Sequence, residues 1–221
     1  MPDDASSSPS ASFEESVLTV VSTELTGAAG EMVRIHLSDG SFFVLHAEVV
    51  AVEGIGAGAE LDASRRASLA ARSEAISARS VALRLLARAP QTRRGLARKL
   101  RARGFATEAI RTAVRRMTEL GYLDDRAFAE SWARSRIATH REGWKSLYRG
   151  LARNGVPRSI AAEVLEQVCT DDVELDRARP LVRGMSPRKA VSRLTARGFR
   201  SRTIARILSE LRRQARKETG E

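Results

Sequence analysis

Apolar and polar residues alternate in the segment "EMVRIHLSDGSFFVLHAEVV", residues 31–50. The first run ends at an Asp-Gly pair, and apolar residues resume after it. A two-residue Asp-Gly loop between alternating runs is typical of a β-hairpin. In that register Leu37 faces Phe42 and Ile35 faces Val44 on one apolar face. The pattern therefore predicts a small β-hairpin element of two or three strands, which needs packing against a neighbouring segment to be stable.

From Asp62 onward the apolar positions follow a helical period, and three segments align without gaps on a glycine. These segments are "LARKLRARGFATEAIRTAVRRM" around Gly104, "LYRGLARNGVPRSIAAEVLEQV" around Gly155 and "AVSRLTARGFRSRTIARILSEL" around Gly198. A leucine stands four residues before each glycine, and an apolar residue follows it directly. This arrangement is typical of a glycine that ends a helix in the left-handed conformation. Each copy is thus predicted to be a helix, a glycine turn and a second helix, preceded by a further helical run.

The predicted fold class is mainly α, with three tandem three-helix repeats that form an elongated curved body after the small N-terminal β-hairpin element. The predicted boundaries are a disordered tail at 1–12, an acidic β-hairpin element at 13–60, repeats at 61–123, 124–169 and 170–214, and a frayed basic tail at 215–221.

Two adjacent carboxylates, Asp124 and Asp125, interrupt a basic region in "LGYLDDR". Such a pair can bind a metal ion, act as a general acid and base, or cap a helix. Gly121 ends the preceding helical pattern and the next one begins at the pair, so we favour capping. Asp171 in "TDDVEL" is predicted to cap a helix in the same way. A metal site would need further ligands converging on the pair.

The sequence offers little other chemistry. His36, His46 and His140 have no metal-binding or triad spacing, and no phosphate-binding loop is present. Cys169 is the only cysteine, which excludes an intramolecular disulfide, and a small buried residue is its expected role. We expect no metal and no cofactor. Without an apolar run of 18 residues or a recognisable leader, the expected location is the cytoplasm and no membrane partner is predicted.

Charge is distributed unevenly along the chain. Residues 1–60 carry a net charge of −9, with one basic residue, Arg34, against ten acidic ones. Residues 61–221 carry 37 Lys and Arg against 17 Asp and Glu, a net charge of +20. The larger part of the chain is therefore expected to bind a polyanion or an acidic protein surface.

The repeats and their joints resemble the RecX family, regulators of the RecA recombinase. The resemblance rests on "ALRLLARAPQTRRGLARKLRARGF", on the two later repeats, and on a Gly-Tyr-Leu-Asp-Asp-x-x-Phe-Ala signature that begins at Gly121. It implies a non-enzymatic protein that binds the RecA filament on single-stranded DNA. Members of this family modulate, commonly by inhibition, the ATPase and strand-exchange activities of the recombinase in recombination and DNA repair.

A crescent of three repeats could bridge successive subunits of such a filament, as a monomer, through cations of the middle helices. The candidate contact residues are Arg93, Arg94, Arg98, Lys99, Arg101, Lys145, Arg149, Arg153, Arg188, Lys189, Arg193 and Arg197. We refer to these twelve residues as the middle-helix cations. Trp132, Trp144 and Tyr148 could stack on bases, but core packing is the preferred interpretation.

Two other function classes stay open at this point. The first is a nucleic-acid-binding helical repeat protein whose basic face follows the phosphates of single- or double-stranded DNA without a recombinase. The second and more distant one is a metal-dependent nuclease that uses Asp124 and Asp125.

Overall fold

The computed structural model describes residues 17–27 and 30–218, with side chains as far as 215. The tail predicted at 1–12 lies outside these ranges, whereas helix continues through part of the tail predicted at 215–221. The elements are β1 (Leu18–Thr26), β2 (Met32–Leu37), β3 (Phe42–His46), α1 (Ala47–Glu53), β4 (Glu60–Leu61), α2 (Ala63–Arg88), α3 (Arg93–Arg101), α4 (Thr107–Glu119), α5 (Asp125–Thr139), α6 (Trp144–Arg153), α7 (Arg158–Val168), α8 (Asp171–Val182), α9 (Pro187–Ala196) and α10 (Ser201–Glu218). The fold is mainly helical, as predicted, with a small antiparallel sheet near the N-terminus.

The chain divides into two compact units, residues 1–78 and 79–221. In the first unit the strands form an antiparallel sheet in the order β3-β2-β1-β4, larger than the two or three strands predicted. The unit extends past the expected boundary near Leu61 because the first part of α2 belongs to it. Leu69 of α2 is buried in the core beside the sheet, and the Ser73 hydroxyl accepts a hydrogen bond of 2.7 Å from the His46 amide.

The predicted hairpin register is wrong by one residue. Ile35 pairs with Phe43 instead of Val44, and this shift applies along the whole of β2 and β3. Ile35 is fully buried, whereas Phe42 is 58% exposed and Val44 is 39% exposed. Phe42 and Val44, which were expected on the apolar face with Ile35 and Leu37, therefore lie on the outer face of the sheet.

The shift originates in the length of the loop. The Leu37 amide donates to the Ser41 carbonyl at 2.9 Å, which leaves three loop residues, 38–40, instead of two. Gly40 is the third and has a φ of 81°, as expected for the left-handed residue of a three-residue hairpin loop. Because strand residues point alternately to opposite faces, one additional loop residue exchanges the faces of the second strand.

The second unit contains three groups of three helices: the end of α2 with α3 and α4, then α5–α7, then α8–α10. The turn between the last two helices of each group has the same construction. Gly104, Gly155 and Gly198 have φ values of 85°, 89° and 77°. The amide that follows each glycine donates back to the leucine carbonyl: Phe105 to Leu100 (3.4 Å), Val156 to Leu151 (3.1 Å) and Phe199 to Leu194 (3.0 Å). This pattern is the Schellman motif.

At the first joint, the N-terminus of α3 packs against the second repeat. The Thr92 hydroxyl donates to the Asn154 carbonyl at 2.6 Å and accepts from the Gly95 amide at 2.9 Å. Asp125, only 3% exposed, accepts a hydrogen bond of 2.8 Å from the Arg93 amide. The carboxylate of one repeat thus caps the middle helix of the preceding repeat.

The second joint repeats this arrangement between α6 and the third repeat. The Gly143 amide donates to the Arg197 carbonyl at 2.9 Å, in the turn between α9 and α10. The carboxylate of Glu174 accepts a hydrogen bond of 2.8 Å from the Trp144 amide, the first residue of α6. Both joints therefore combine a helix N-terminus, a glycine turn and an acidic side chain of the next repeat.

Glu174 is fully buried and its charge is matched by Arg200. Its carboxylate accepts from Arg200 Nε at 2.7 Å, from the Arg200 amide at 3.1 Å and from the Thr203 hydroxyl at 2.6 Å. Burial lowers the pKa of Arg200, but the hydrogen bond and charge of Glu174 outweigh it, so that the pKa lies above its ordinary value. This ion pair lies within the third repeat and fixes the carboxylate that caps α6 across the joint.

The aspartates named as caps have distinct positions. Asp124 is the N-cap of α5 and accepts from the amides of Arg126 (2.8 Å) and Ala127 (3.0 Å). Asp125 is the first residue of α5. The N-cap of α8 is Thr170 and not Asp171, whose carboxylate instead lies 2.8 Å from the Arg200 guanidinium.

We expect Glu174→Gln to lower the free energy of unfolding by about 1.5–3 kcal/mol, because Arg200 loses its one fully buried counter-charge and keeps only the more exposed carboxylates of Asp171 and Glu166. Asp172→Asn is the matched control, since that side chain is 87% exposed and its loss should cost less than about 0.5 kcal/mol. Urea unfolding of both variants measures the difference. Equal, small losses would show that the pair contributes little to stability.

Gly198→Ala and Gly104→Ala separate backbone strain from close packing. Both place alanine in the left-handed region, at a cost of about 1–2 kcal/mol. A Cβ at Gly198 would also lie 2.6 Å from the Ser146 backbone nitrogen, whereas a Cβ at Gly104 meets nothing within 4 Å. The Gly198 variant should therefore lose roughly 1–3 kcal/mol more. Equal unfolding free energies would contradict the tight joint.

Candidate partner-binding surface

The middle helices of the three repeats, α3, α6 and α9, contain no Asp or Glu. All twelve middle-helix cations lie on these helices or at their C-terminal ends. Eleven of them are exposed and Lys99 is half-buried. The three helices therefore present positive charge alone to the solvent.

No middle-helix cation has a carboxylate within 4.0 Å in the part of the chain that the structure describes. Two of them have backbone contacts only: the guanidinium of Arg98 donates to the Arg153 carbonyl at 3.4 Å, and that of Arg197 donates to the Arg141 carbonyl at 3.3 Å. The ion pairs described in this unit involve arginines of α4, α5, α8 and the start of α10. The described carboxylates of this unit thus pair with arginines of other helices or accept from backbone amides, and none pairs with a middle-helix cation.

Equivalent positions carry these cations from one repeat to the next. Ten residues before the turn glycine stand Arg94, Lys145 and Arg188. Six residues before it stand Arg98 and Arg149, on the same helix face as the first position. Like charges four residues apart destabilise a helix. Charge of one sign at repeated positions is therefore not explained by the stability of the fold, and it favours an anionic partner.

The aromatic side chains considered for base stacking pack within the protein. Trp132, Trp144 and Tyr148 are partly buried against the core of the second repeat. Trp144 and Tyr148 stack on each other, with ring centroids 5.2 Å apart and planes 9° from parallel. Their rings contribute to the core of the repeat, which agrees with the preferred interpretation of the sequence.

The structure shows no cluster of three or more His, Cys, Asp or Glu that could bind a metal among the residues it describes. Asp124 and Asp125 are engaged with backbone amides at two different helix N-termini. Cys169 is fully buried, and burial together with the charge of Glu174 raises the pKa of its thiol to about 11. A thiol with so high a pKa is a poor nucleophile at neutral pH.

Within the described ranges, no helix combines the length and the apolar character needed to cross a membrane.

Sequence reasoning missed a groove on the first repeat, between α3 and α4. It has a volume of about 530 Å³, and Ala97, Ile110 and Val114 contribute its apolar surface. A signal was available in the repeat alignment. At the positions of Arg93 and Ala97, the second repeat has the aromatic pair Trp144 and Tyr148.

Comparison with known proteins identifies both of the first two repeats. Residues 78–117 match the family model of the first three-helix domain of RecX, and residues 124–165 match that of the second. The regulatory protein RecX of Thermobifida fusca is 40% identical over 128 residues, which span 58% of this chain and 59% of that protein. RecX of Streptomyces coelicolor is 34% identical over 155 residues, spanning 65% of this chain and 80% of that protein.

Two solved structures share the fold. A crystal structure of a regulatory protein RecX superposes with a TM-score of 0.64 at 22% identity, covering 87% of this chain and 99% of that one. RecX from Lactobacillus salivarius superposes with a TM-score of 0.59 at 23% identity, covering 62% of this chain and 96% of that one. The resemblance seen in the sequence is confirmed: the chain belongs to the RecX family of regulatory proteins.

Proposed function

We propose that this chain is a non-enzymatic regulator that binds the RecA recombinase filament on single-stranded DNA and lowers its ATPase and strand-exchange activity. Membership of the RecX family supports the recombinase as the partner. The observation that carries the proposal is the set of middle-helix cations without carboxylate partners, at equivalent positions of successive repeats. A filament presents the same surface at each subunit, and a repeated cationic surface would complement acidic groups that recur along it. We expect the chain to act as a monomer in the cytoplasm.

A second candidate function is binding to DNA phosphates without a recombinase. The same cations favour it, because lysine and arginine side chains that neutralise phosphates account for most non-specific affinity. The rings of Trp144 and Tyr148 are stacked on each other and partly buried against the core, however, so the surface they offer to unstacked bases is reduced. This arrangement supports the regulator over a plain single-strand-binding protein.

A titration of the protein into its cognate RecA on single-stranded DNA tests the proposal. We expect ATP hydrolysis to slow at amounts well below one protein per RecA subunit, because one bound regulator affects a filament of many subunits. Inhibition that requires stoichiometric coating of the DNA, and that added free DNA abolishes, would instead identify a phosphate-binding protein. A steep linear decrease of log affinity with log salt would accompany that result.

The matched variant in this titration is a triple one that combines Arg94→Gln, Lys145→Gln and Arg188→Gln. It removes one cation from the same position of each repeat. Its control is Arg116→Gln, Arg179→Gln, Arg206→Gln, which removes the same charge from arginines paired with exposed or partly exposed carboxylates. We expect the first variant to need at least about tenfold more protein for half-inhibition, equivalent to about 1.4 kcal/mol of binding free energy. Similar inhibition by both variants would contradict a role for the middle-helix cations.

Replacement of Asp124 and Asp125 by asparagine tests the enzyme alternative. Asparagine keeps the acceptor oxygens of both caps, so we expect a stability loss of only about 1 kcal/mol from the missing charges at the helix N-termini. Inhibition of RecA should remain within about twofold of the unmodified protein, a free-energy change near 0.4 kcal/mol. A folded double variant, verified by circular dichroism, that has lost all activity would support a metal-dependent reaction at the pair.

A further inference from the structure

The groove between α3 and α4 is an unfilled position in an otherwise repeated structure. Ile110 is 4% exposed and forms its floor, while Ala97 and Val114 are half-buried beside it. Because Ala97 carries only a methyl group, the space above Ile110 and Val114 stays open. The first repeat thus exposes an apolar depression of about 530 Å³.

The second repeat shows what fits this position. Trp144 stands at the place of Arg93 and Tyr148 at the place of Ala97, counted from the turn glycine. The two stacked rings pack against the core that includes Leu165, which is fully buried. Its counterpart in the first repeat is Val114, which is not fully covered. Two large apolar side chains, one helical turn apart, are therefore the occupant that this surface accommodates.

The rim of the groove adds a charge requirement. Four arginines line it and a single carboxylate, that of Glu119, accompanies them. Arg93 and Arg101 have no carboxylate within 4.0 Å among the described residues. Arg111 and Arg115 pair with acids of their own helix, but these side chains are at least half exposed, so the pairs are weak and easily exchanged. Carboxylates of an incoming segment would complement this rim.

We propose that the groove docks a helical segment of a partner protein that carries aromatic or large aliphatic side chains next to carboxylates. This inference rests on the proposed function, because it takes that partner to be RecA. An amphipathic helix places such anchors in a groove at positions i and i+4. A nucleic acid fits less well, because the floor is aliphatic and offers no ring on which a base could stack.

Filling the groove from within tests the proposal. Ala97→Tyr copies Tyr148 of the second repeat and changes no charge. Its control is Ala205→Tyr, which adds the same ring on an exposed position of α10, outside the groove and the middle helices. We expect Ala97→Tyr to weaken binding to the RecA filament on single-stranded DNA by at least about tenfold. Affinity for the same single-stranded DNA without RecA should be unchanged, and the control should match the unmodified protein in both assays.

A second variant keeps the test decisive if Ala97→Tyr does not fold. Arg111→Glu reverses the charge of one rim arginine that is 69% exposed and lies outside the middle-helix cations. It should also weaken filament binding without affecting DNA binding. If the folded variants bind the filament with unchanged affinity, the groove is not the docking site. The proposed inhibition of RecA would remain in that case. A parallel loss of DNA affinity would identify a nucleic-acid occupant and overturn it. No filament binding by the unmodified protein would overturn both proposals.

Discussion

The helical unit depends on one contact, the capping of a middle-helix N-terminus by an acidic side chain of the following repeat. Asp125 accepts from the first amide of α3, and Glu174 accepts from the first amide of α6. Unpaired amides at a helix N-terminus require acceptors, and an interior that excludes water makes their absence costly. A carboxylate satisfies the amide and also complements the positive end of the helix. Each repeat therefore completes the one before it.

This contact explains why the joints between the repeats are so tightly packed. A helix end can reach the carboxylate only if its backbone lies directly against the next turn, and Gly143 and Gly198 permit that approach because neither has a Cβ. At the first joint Gly95 and Gly155 have the same role beside Thr92. The spacing between successive middle helices is thus set by backbone contacts. Side chains at equivalent positions of these helices consequently recur in equivalent surroundings.

Patterns within a few neighbouring residues predicted much of this structure, whereas contacts between residues far apart in the sequence were missed. The glycine turns are encoded within six residues, from the leucine to the residue after the glycine, so the repeat pattern identified the three groups of helices. The hairpin register depended on whether Leu37 bonds to Ser41, and an Asp-Gly pair is compatible with either loop length. The capping of α3 by Asp125 joins residues 32 positions apart. No local pattern predicts such a pair, although the sequence did place an acid at the start of the second repeat.

The positions of the acidic side chains also account for the positive charge of the middle helices. The carboxylates of this unit that the structure describes serve helix N-termini or pair with arginines of α4, α5, α8 and α10 or with Arg200, and no Asp or Glu stands on a middle helix. Had acids alternated with the cations of α3, α6 and α9, internal pairs four residues apart would have stabilised those helices. Their absence leaves the charge available to a partner. The first repeat adds an apolar groove at the position where the second repeat is filled by its own aromatic rings. Repeats that share one scaffold can therefore differ in function, since two positions of the middle helix, one helical turn apart, decide whether the surface is closed by the chain or left open to a partner.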